Sequence, residues 1–235
     1  MTYSILARDA ETGILGGAAA TGSLCVGGWV LRGRVGAGMS ASQGTAPSTL
    51  WGDAVLDRMQ AGETAESAVA STVSPDAGRD YRQLSALDLS GGTGAFTGAH
   101  SVPAASHRSE PGAIVAGNLL TGEEVLDAAL AAYSGSTLPF AERLLAALDA
   151  GAAAGSDSRG LQSAALLILG SDMAPLTLRI DMSDRPLAAL RALYERSQSQ
   201  PYAGWCDVVP TFSDPFRAPQ PDEMEVVAEQ ASSKA

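Results

Sequence analysis

The chain begins Met1-Thr2-Tyr3-Ser4-Ile5-Leu6-Ala7-Arg8. The alternation of side chains over Tyr3 to Arg8 predicts a β-strand. Asp9 to Gly13 has the composition of a turn and Ile14 to Ala20 predicts a second strand, so we expect a hairpin at the start of the chain. The glycines and alanines of the second strand leave room for another backbone to approach it closely.

Thr2 directly follows the initiator methionine. A small residue at this position permits removal of Met1, and a free N-terminal threonine carries both a hydroxyl nucleophile and an amine that can act as its base. Small residues also follow Met1 for processing reasons alone, and chain termini are commonly disordered. The first residues therefore suggest that Thr2 is catalytic, but they do not decide between this role and the two alternatives.

The composition favours one domain and disfavours several classes of function. The 235 residues suit a single large domain. The formal net charge of -11 disfavours binding to nucleic acid, and also binding to a membrane surface through a basic face. The single lysine, Lys234, lies near the C-terminus, which disfavours Schiff-base chemistry.

The sequence also bears on location and metal binding. No basic N-terminal region precedes an apolar run and no apolar stretch reaches transmembrane length, so we expect a cytoplasmic protein. The two cysteines, Cys25 and Cys206, predict neither a disulfide framework nor a metal site. His100 and His107 have no cysteine or carboxylate at ligand spacing, so we expect no metal and no cofactor.

The order of elements predicts an α+β fold. Strands, two helices, strands, two helices, strands and one helix follow one another, and hairpins dominate, so the sheets should be largely antiparallel with helices covering them. Residues 49–60 predict an amphipathic helix whose apolar face carries Leu50, Ala54, Val55 and Met59.

Two segments are predicted to be less regular. Gly98 to Gly112 is expected to be a loop that carries both histidines. The tail after Gln200 contains five of the 12 prolines and has an acidic end, so residues 201–235 are expected to be partly irregular.

Several spaced segments resemble a known family. They are Thr2 to Asp9, Arg34 to Gly44, Tyr81 to Leu84, Gly117 to Leu120, Ala141 to Leu148 and Asp157 to Leu167. On these residues the chain resembles a bacterial and archaeal family of uncharacterised proteins, domain of unknown function 1028 (DUF1028), which is grouped with the N-terminal-nucleophile (Ntn) hydrolase-like fold. The resemblance extends from Thr2 to about Leu193.

The resemblance implies a four-layer αββα sandwich, in which two antiparallel sheets lie between helix layers, over residues 1–200. In that fold the first strand carries a nucleophilic Thr, Ser or Cys at its exposed N-terminus, and the resemblance places Thr2 there. Proteasome-like relatives have a lysine on a nearby strand end, where this chain has Arg34. Because an arginine stays charged, Arg34 is expected only to orient a group or bind an anionic oxygen, or else to form a surface ion pair.

Other candidate residues follow the predicted strands. The turn Gln43-Gly44-Thr45, between a strand and a helix, offers backbone N–H groups to a developing oxyanion, or is an ordinary turn. Asn118, in the family's Gly-Asn step, is expected to donate to a carbonyl oxygen or hold the Thr2 amine, or else to be a turn residue in the left-handed region.

Three more residues are candidates for substrate binding. His107 lies in a polar loop and is expected to bind substrate or to act as an acid–base group, although loop histidines often do neither. Asp157 and Arg159 precede a predicted strand, where they would clamp a polar substrate or pair with each other.

These expectations combine into a hydrolase that cleaves a C–N bond (amide, lactam or ureido) in a small polar molecule, with Thr2 as nucleophile once Met1 is removed. The alternatives are a proteasome-like peptidase and a non-catalytic ligand-binding or assembly protein on the same fold. Apolar segments rich in alanine and glycine predict a homodimer.

Overall fold

The computed structural model describes residues 2–155, 160–221 and 223–224 and contains two antiparallel sheets. A six-stranded sheet has the order β10-β9-β2-β1-β8-β7, and a four-stranded sheet has the order β3-β4-β5-β6. The strands are β1 Thr2–Arg8, β2 Leu15–Thr21, β3 Leu31–Arg34, β4 Gly38–Gly44, β5 Arg82–Asp88, β6 Thr93–Thr97, β7 Ser106–Glu110, β8 Ala113–Asn118, β9 Ser163–Leu169 and β10 Leu176–Ile180.

Helices cover the outer faces of both sheets. Their bounds are α1 Val26–Trp29, α2 Thr49–Gln60, α3 Ala65–Val73, α4 Glu124–Ser134, α5 Phe140–Ala153, α6 Pro186–Ser197 and α7 Tyr202–Val208. Buried residues of α4, α5 and α6 form one core with the six-stranded sheet, and those of α2 and α3 form another with the four-stranded sheet. A third core lies between the sheets. The four layers confirm the predicted α+β sandwich of two antiparallel sheets.

Strand β1 lies in the middle of the six-stranded sheet, between β2 and β8. Its side chains alternate between two of the cores, as the period of a strand requires. Tyr3 and Ile5 pack in the core shared with α4 and α5, whereas Leu6 packs in the core between the sheets. Because Thr2 and Ser4 share the parity of Leu6, their side chains face the four-stranded sheet.

The small residues of β2 let its neighbours pack directly on its backbone. A Cβ atom added at Gly16 would lie 2.6 Å from Leu144 Cδ1 and 2.8 Å from Phe140 Cε1, both on α5. On the opposite face, a Cβ at Gly17 would lie 3.0 Å from Leu6 Cδ2 and 3.2 Å from a side-chain atom of Leu31. The small residues of β2 therefore admit side chains closely on both faces, whereas the sequence predicted the close approach of another backbone.

Three local predictions differ from the structure. The predicted loop over residues 98–112 contains strand β7, which pairs with β8. The polar sequence of β7 gives no indication of this pairing. The predicted irregular tail contains α7. Leu50 is 76% exposed, because the buried face of α2 carries Trp51, Gly52, Val55, Leu56 and Met59, and Leu50 lies outside that face.

Candidate functional site

Four polar residues lie side by side at the neighbouring ends of four adjacent strands of the six-stranded sheet. Thr2 is opposite Asn118 of β8 on one side and Thr21 of β2 on the other, and Thr21 is opposite Ser163 of β9. Directly opposed residues project from the same face of a sheet. The Thr2 hydroxyl donates a hydrogen bond to Thr21 Oγ1 at 3.0 Å. The end of β1 thus contributes to a row of hydroxyl and amide groups.

A cavity of ≈ 300 Å³ opens at this row. Thr2, Thr21 and the residues at the end of β4 contribute polar groups to its lining. Most of its apolar lining residues lie in the segment after β2. The lining residues are Thr2, Thr21, Ser23, Leu24, Val26, Trp29, Val30, Gln43, Gly44, Thr45 and Pro47.

Two buried glutamines join the sheets beneath this cavity. Gln43 of β4 and Gln83 of β5 are 1% and 0% exposed. Gln43 Nε2 donates to Gln83 Oε1 at 2.7 Å, and Gln43 Oε1 accepts a hydrogen bond from the Ser4 hydroxyl at 2.9 Å. Gln43 Nε2 also lies 3.5 Å from the Thr2 carbonyl oxygen. Gln43 therefore holds the start of β1 through hydrogen bonds.

Gln83 extends this network to β8. Its Nε2 lies 2.9 Å from the Gly117 carbonyl oxygen and 3.1 Å from that of Ser106. Its Oε1 accepts a hydrogen bond from Asn118 Nδ2 at 3.2 Å. Because buried polar groups are costly unless paired, these bonds define the positions of the strand ends around Thr2.

The predicted turn at Gln43–Thr45 reaches the cavity, although α2 begins only at Thr49. Gly44 has φ +130°, and a Cβ atom there would lie 2.8 Å from the Tyr81 carbonyl oxygen, so this position requires glycine. Thr45 Oγ1 lies 3.4 Å from the His100 carbonyl oxygen. The backbone of this turn, rather than the first turn of α2, borders the cavity.

Arg34 does not lie beside Thr2, contrary to the expectation. Arg34 pairs with Gly38 at the start of β4, whereas Gln43 lies near the end of that strand, roughly 17 Å further along. Arg34 Nη1 instead contacts Asp57 Oδ1 and Gln60 Oε1, each at 2.7 Å. Arg34 therefore forms a surface ion pair with Asp57, which was the alternative interpretation of this residue.

Asn118 does lie next to Thr2, through strand pairing. Its side chain is buried and donates to Gln83, so its amide belongs to the network beneath the cavity. The residue in the left-handed region is Leu119, with φ 59°, and not Asn118.

His107 lies in β7, at the edge of the six-stranded sheet, and not in the predicted loop. It is opposite Ala116, which is opposite Ser4, so it lies on the side of the sheet that faces the other sheet, two strands from β1. Burial, and then the charge of Arg108, lower the pKa of His107. The remaining candidates, Asp157 and Arg159, lie outside the described residues.

The described ranges contain neither a metal-binding cluster nor a membrane-spanning helix. No three of their His, Cys, Asp or Glu side chains are grouped so that they could hold a metal ion. None of their helices combines the length and the apolar character needed to cross a bilayer.

Comparison with known proteins places the chain in a family. A model of a family of unknown function, DUF1028, matches residues 2–190. The chain belongs to this family. The crystal structure of protein SPO2555 from Silicibacter pomeroyi, assigned to DUF1028, is 50% identical, covers 93% of this chain and 96% of that chain, and superposes with a TM-score of 0.90. A comparison with curated proteins gave no match.

A larger cavity of this DUF1028 chain, ≈ 540 Å³, lies at the other end of β1. Its lining includes Arg8, Asp9 and Glu110, which carry charges of both signs, and it does not include Thr2. Asp9 already accepts hydrogen bonds from Thr12, and Arg143 is stacked over Tyr133. We therefore regard the smaller cavity at Thr2 as the candidate site.

Sequence reasoning missed four residues at or beside the candidate site of this chain: Thr21, Ser163, Leu24 and Trp29. Thr21 and Ser163 are recognisable only once the strand register is known, because they lie far apart in sequence. A signal for Trp29 was present, since a large aromatic residue stands within the glycine-rich stretch from Gly22 to Gly33.

Proposed function

We propose that the protein hydrolyses a C–N bond (amide, lactam or ureido) in a small polar molecule, with Thr2 as the nucleophile after removal of Met1. The observation that carries the proposal is the position of the Thr2 hydroxyl, at the open end of a central strand and in the wall of a cavity between the sheets. A nucleophile on the first strand of a sandwich of two antiparallel sheets is the arrangement of the Ntn hydrolase-like fold, which the resemblance implies and which supports the assignment by analogy.

The reaction would proceed through an acyl-enzyme. Thr2 Oγ1 attacks the carbonyl carbon, and its proton passes to the free α-amine of Thr2, directly or through a water. The C–N bond breaks, and the leaving nitrogen takes that proton from the amine. Water then attacks the ester, its proton passes through the amine to Thr2 Oγ1, and the acid is released.

The surrounding residues would support these steps. The backbone of the Gln43–Thr45 turn borders the cavity, and we assign its N–H groups to the developing oxyanion. Gln43 and Asn118 hold the ends of the strands around Thr2 and do not serve as proton carriers. We further propose a cytoplasmic homodimer, on the basis of the composition.

Mass spectrometry of the purified protein tests the proposal. Intact mass should show the loss of Met1. A simple β-lactone, whose strained ester acylates activated hydroxyls, should then add one acyl group, located on the peptide that begins with Thr2. Thr2→Ala should abolish labelling, whereas Thr177→Ala, at an exposed position of β10, should leave it unchanged.

Two results would contradict the proposal. Retention of Met1 would remove the amine that the mechanism needs and would favour a non-catalytic ligand-binding protein. Labelling of Thr2→Ala to the same extent as the parent would show that another residue had reacted.

A further inference from the structure

Two large apolar side chains stand exposed at the mouth of the Thr2 cavity. Leu24 is 51% and Trp29 is 52% exposed, and both line the cavity. Val26 and Val30, which are buried, and Pro47 are further apolar residues of the lining. Exposed apolar groups that converge on a cavity are typical of a surface that becomes covered when a ligand binds.

The segment that carries these side chains is held in place by hydrogen bonds. Ser163 Oγ accepts from the Val26 N–H at 3.1 Å and donates to the Ser23 carbonyl oxygen at 2.7 Å. The Cys25 N–H donates to the Asp181 carbonyl oxygen at 3.0 Å. Leu24 and Trp29 are therefore exposed on a backbone segment that hydrogen bonds hold in place.

Close packing beneath α1 also directs Trp29 outward. A Cβ atom at Gly27 would lie 2.7 Å from Ala165 Cβ and 2.7 Å from Arg179 Cγ, so the inner side of the short helix has no space for a side chain. The helix rests on β9 and β10, and the indole of Trp29 remains on the open side.

The two walls of the cavity differ in chemistry. The segment after β2 contributes the apolar residues Leu24, Val26, Trp29 and Val30, whereas Thr2, Thr21 and Thr45 come from the ends of β1 and β2 and from the loop after β4. The volume of ≈ 300 Å³ is at the lower end of the range for small-molecule sites, about 300 to 1,000 Å³. A ligand that matches both walls has a planar apolar group next to a hydrogen-bonding carbonyl.

We infer that the site takes a small carboxamide or lactam whose acyl part ends in a planar apolar group such as a phenyl ring. The ring packs against Trp29 and Leu24, and the amide carbonyl lies at the Thr2 hydroxyl. The inference rests on the proposed function for the role of the carbonyl, and it narrows the substrate class from any small polar amide to an amphipathic one.

Binding to the Thr2→Ala protein tests the inference without turnover. The probes are phenylacetamide, acetamide and L-glutamine, titrated in ligand-observed NMR. Phenylacetamide should bind at least about tenfold more tightly than the other two, because only it buries a ring. Adding Trp29→Ala should remove about tenfold of that affinity, and Trp29→Phe should restore most of it, since the phenyl ring keeps an aromatic surface.

Trp205→Ala is the matched control. Trp205 is 47% exposed, which is close to the value for Trp29, but it lies on α7 and does not line the Thr2 cavity. This variant should bind phenylacetamide as the parent does. Thermal unfolding of each variant shows whether it has folded, and Trp29→Phe keeps the test open if Trp29→Ala does not fold.

The outcomes separate the inference from the proposed function. Equal affinity for the three probes, tighter binding of L-glutamine, or an unchanged affinity in a folded Trp29→Ala would overturn the inference even if the β-lactone labels Thr2. Trp29-dependent binding of phenylacetamide without labelling of Thr2 would leave the ligand class standing and overturn the hydrolase.

Discussion

At the scale of single residues, the candidate site consists of one partly buried hydroxyl, that of Thr2, and buried amides that position it. Thr2 and Gln43 line the cavity, and the buried side chains of Gln43 and Gln83 connect the two sheets. Gln83 is the centre of this network, because its side chain bonds to two strands of the opposite sheet through Ser106 of β7 and through Gly117 and Asn118 of β8. A change at Gln83 should therefore affect both stability and Thr2.

Gln83→Leu should lower the free energy of unfolding by about 3 kcal/mol or more. The substitution keeps the side chain similar in size but leaves the Gly117 carbonyl and the Gln43 amide without this partner, and each buried orphan costs roughly 1–3 kcal/mol. Urea denaturation measures the change. Gln60→Leu is the control, because Gln60 is exposed on α2 and loses a surface hydrogen bond from Arg34, which should cost about 1 kcal/mol or less.

A loss of less than about 0.5 kcal/mol in Gln83→Leu would show that water or local rearrangement satisfies these groups, and the positioning role would then fail. Slower β-lactone labelling of Thr2 in the folded variant, with normal labelling in Gln60→Leu, is the result that connects the network to the site.

At the scale of elements, the site depends on where strands end and on how closely they approach one another. The end of β4 reaches the cavity at Gly44, where φ is +130° and the chain passes against the backbone of residues 81–83. Gly62, after α2, also has positive φ, at +98°, but a Cβ atom added there would have no neighbour within 4 Å. A comparison of alanine substitutions at Gly62 and Gly44 therefore distinguishes the cost of a positive φ from the cost of a steric contact.

Gly44→Ala should destabilise the protein more than Gly62→Ala. An alanine at Gly62 meets only the cost of a positive φ, about 1 kcal/mol, whereas at Gly44 it also contacts the Tyr81 carbonyl, so we expect a loss of about 3 kcal/mol or more. Thermal and urea unfolding of both variants measure the difference. Equal losses would mean that the β4 end shifts freely and that the turn is not a rigid wall of the cavity.

The sequence predicted the elements that have a strong period or clear turn residues. The helix over 49–60 has the predicted bounds because its apolar residues recur at helical spacing, and the continuous apolar run from Ala164 to Leu169 forms the buried strand β9. Strand β7 was missed because its sequence, Ser-His-Arg-Ser-Glu, has no apolar face. Its formation depends on pairing with β8, which local sequence does not encode.

At the scale of the whole molecule, the helix layer buries Tyr3 and Ile5 of the central strand β1 beneath α5. The Tyr3 hydroxyl donates to the Leu148 carbonyl oxygen at 2.7 Å. Burial, with a smaller contribution from the charge of Asp149, raises the pKa of Tyr3 well above its ordinary range. The folded protein therefore keeps Tyr3 neutral at a pH where the unfolded chain would ionise it.

The stability of the protein should fall as the pH rises above about 10, the ordinary pKa of tyrosine. Below this pH the full contribution of neutral Tyr3 is present, and above it ionisation of the unfolded chain removes about 1.4 kcal/mol per pH unit for one such group. Urea unfolding at pH 9 and pH 11 measures the slope.

Tyr3→Phe isolates the contribution of this tyrosine. The variant should be about 1 kcal/mol less stable at pH 9, since it lacks the hydrogen bond to Leu148, and its decline toward pH 11 should be shallower. Tyr81→Phe, at a residue whose side chain is exposed, is the control. An identical pH dependence in Tyr3→Phe and the parent would contradict the role of Tyr3.

Gln43 and Gly44, predicted to lie in a turn, belong to strand β4, and the bend begins at Thr45. Amino-acid patterns were sufficient for the class of fold and for the first strand, predicted over Tyr3 to Arg8, because period, turn chemistry and family motifs are local properties. Assembly of the sheets decided which residues meet at the end of that strand. Register placed Thr21 and Asn118 beside Thr2 and Ser163 beside Thr21, and strand direction placed Arg34 at the far end of β4 from Gln43. Such contacts join residues distant in sequence, and hydrogen bonding across strands selects them, which no local pattern specifies.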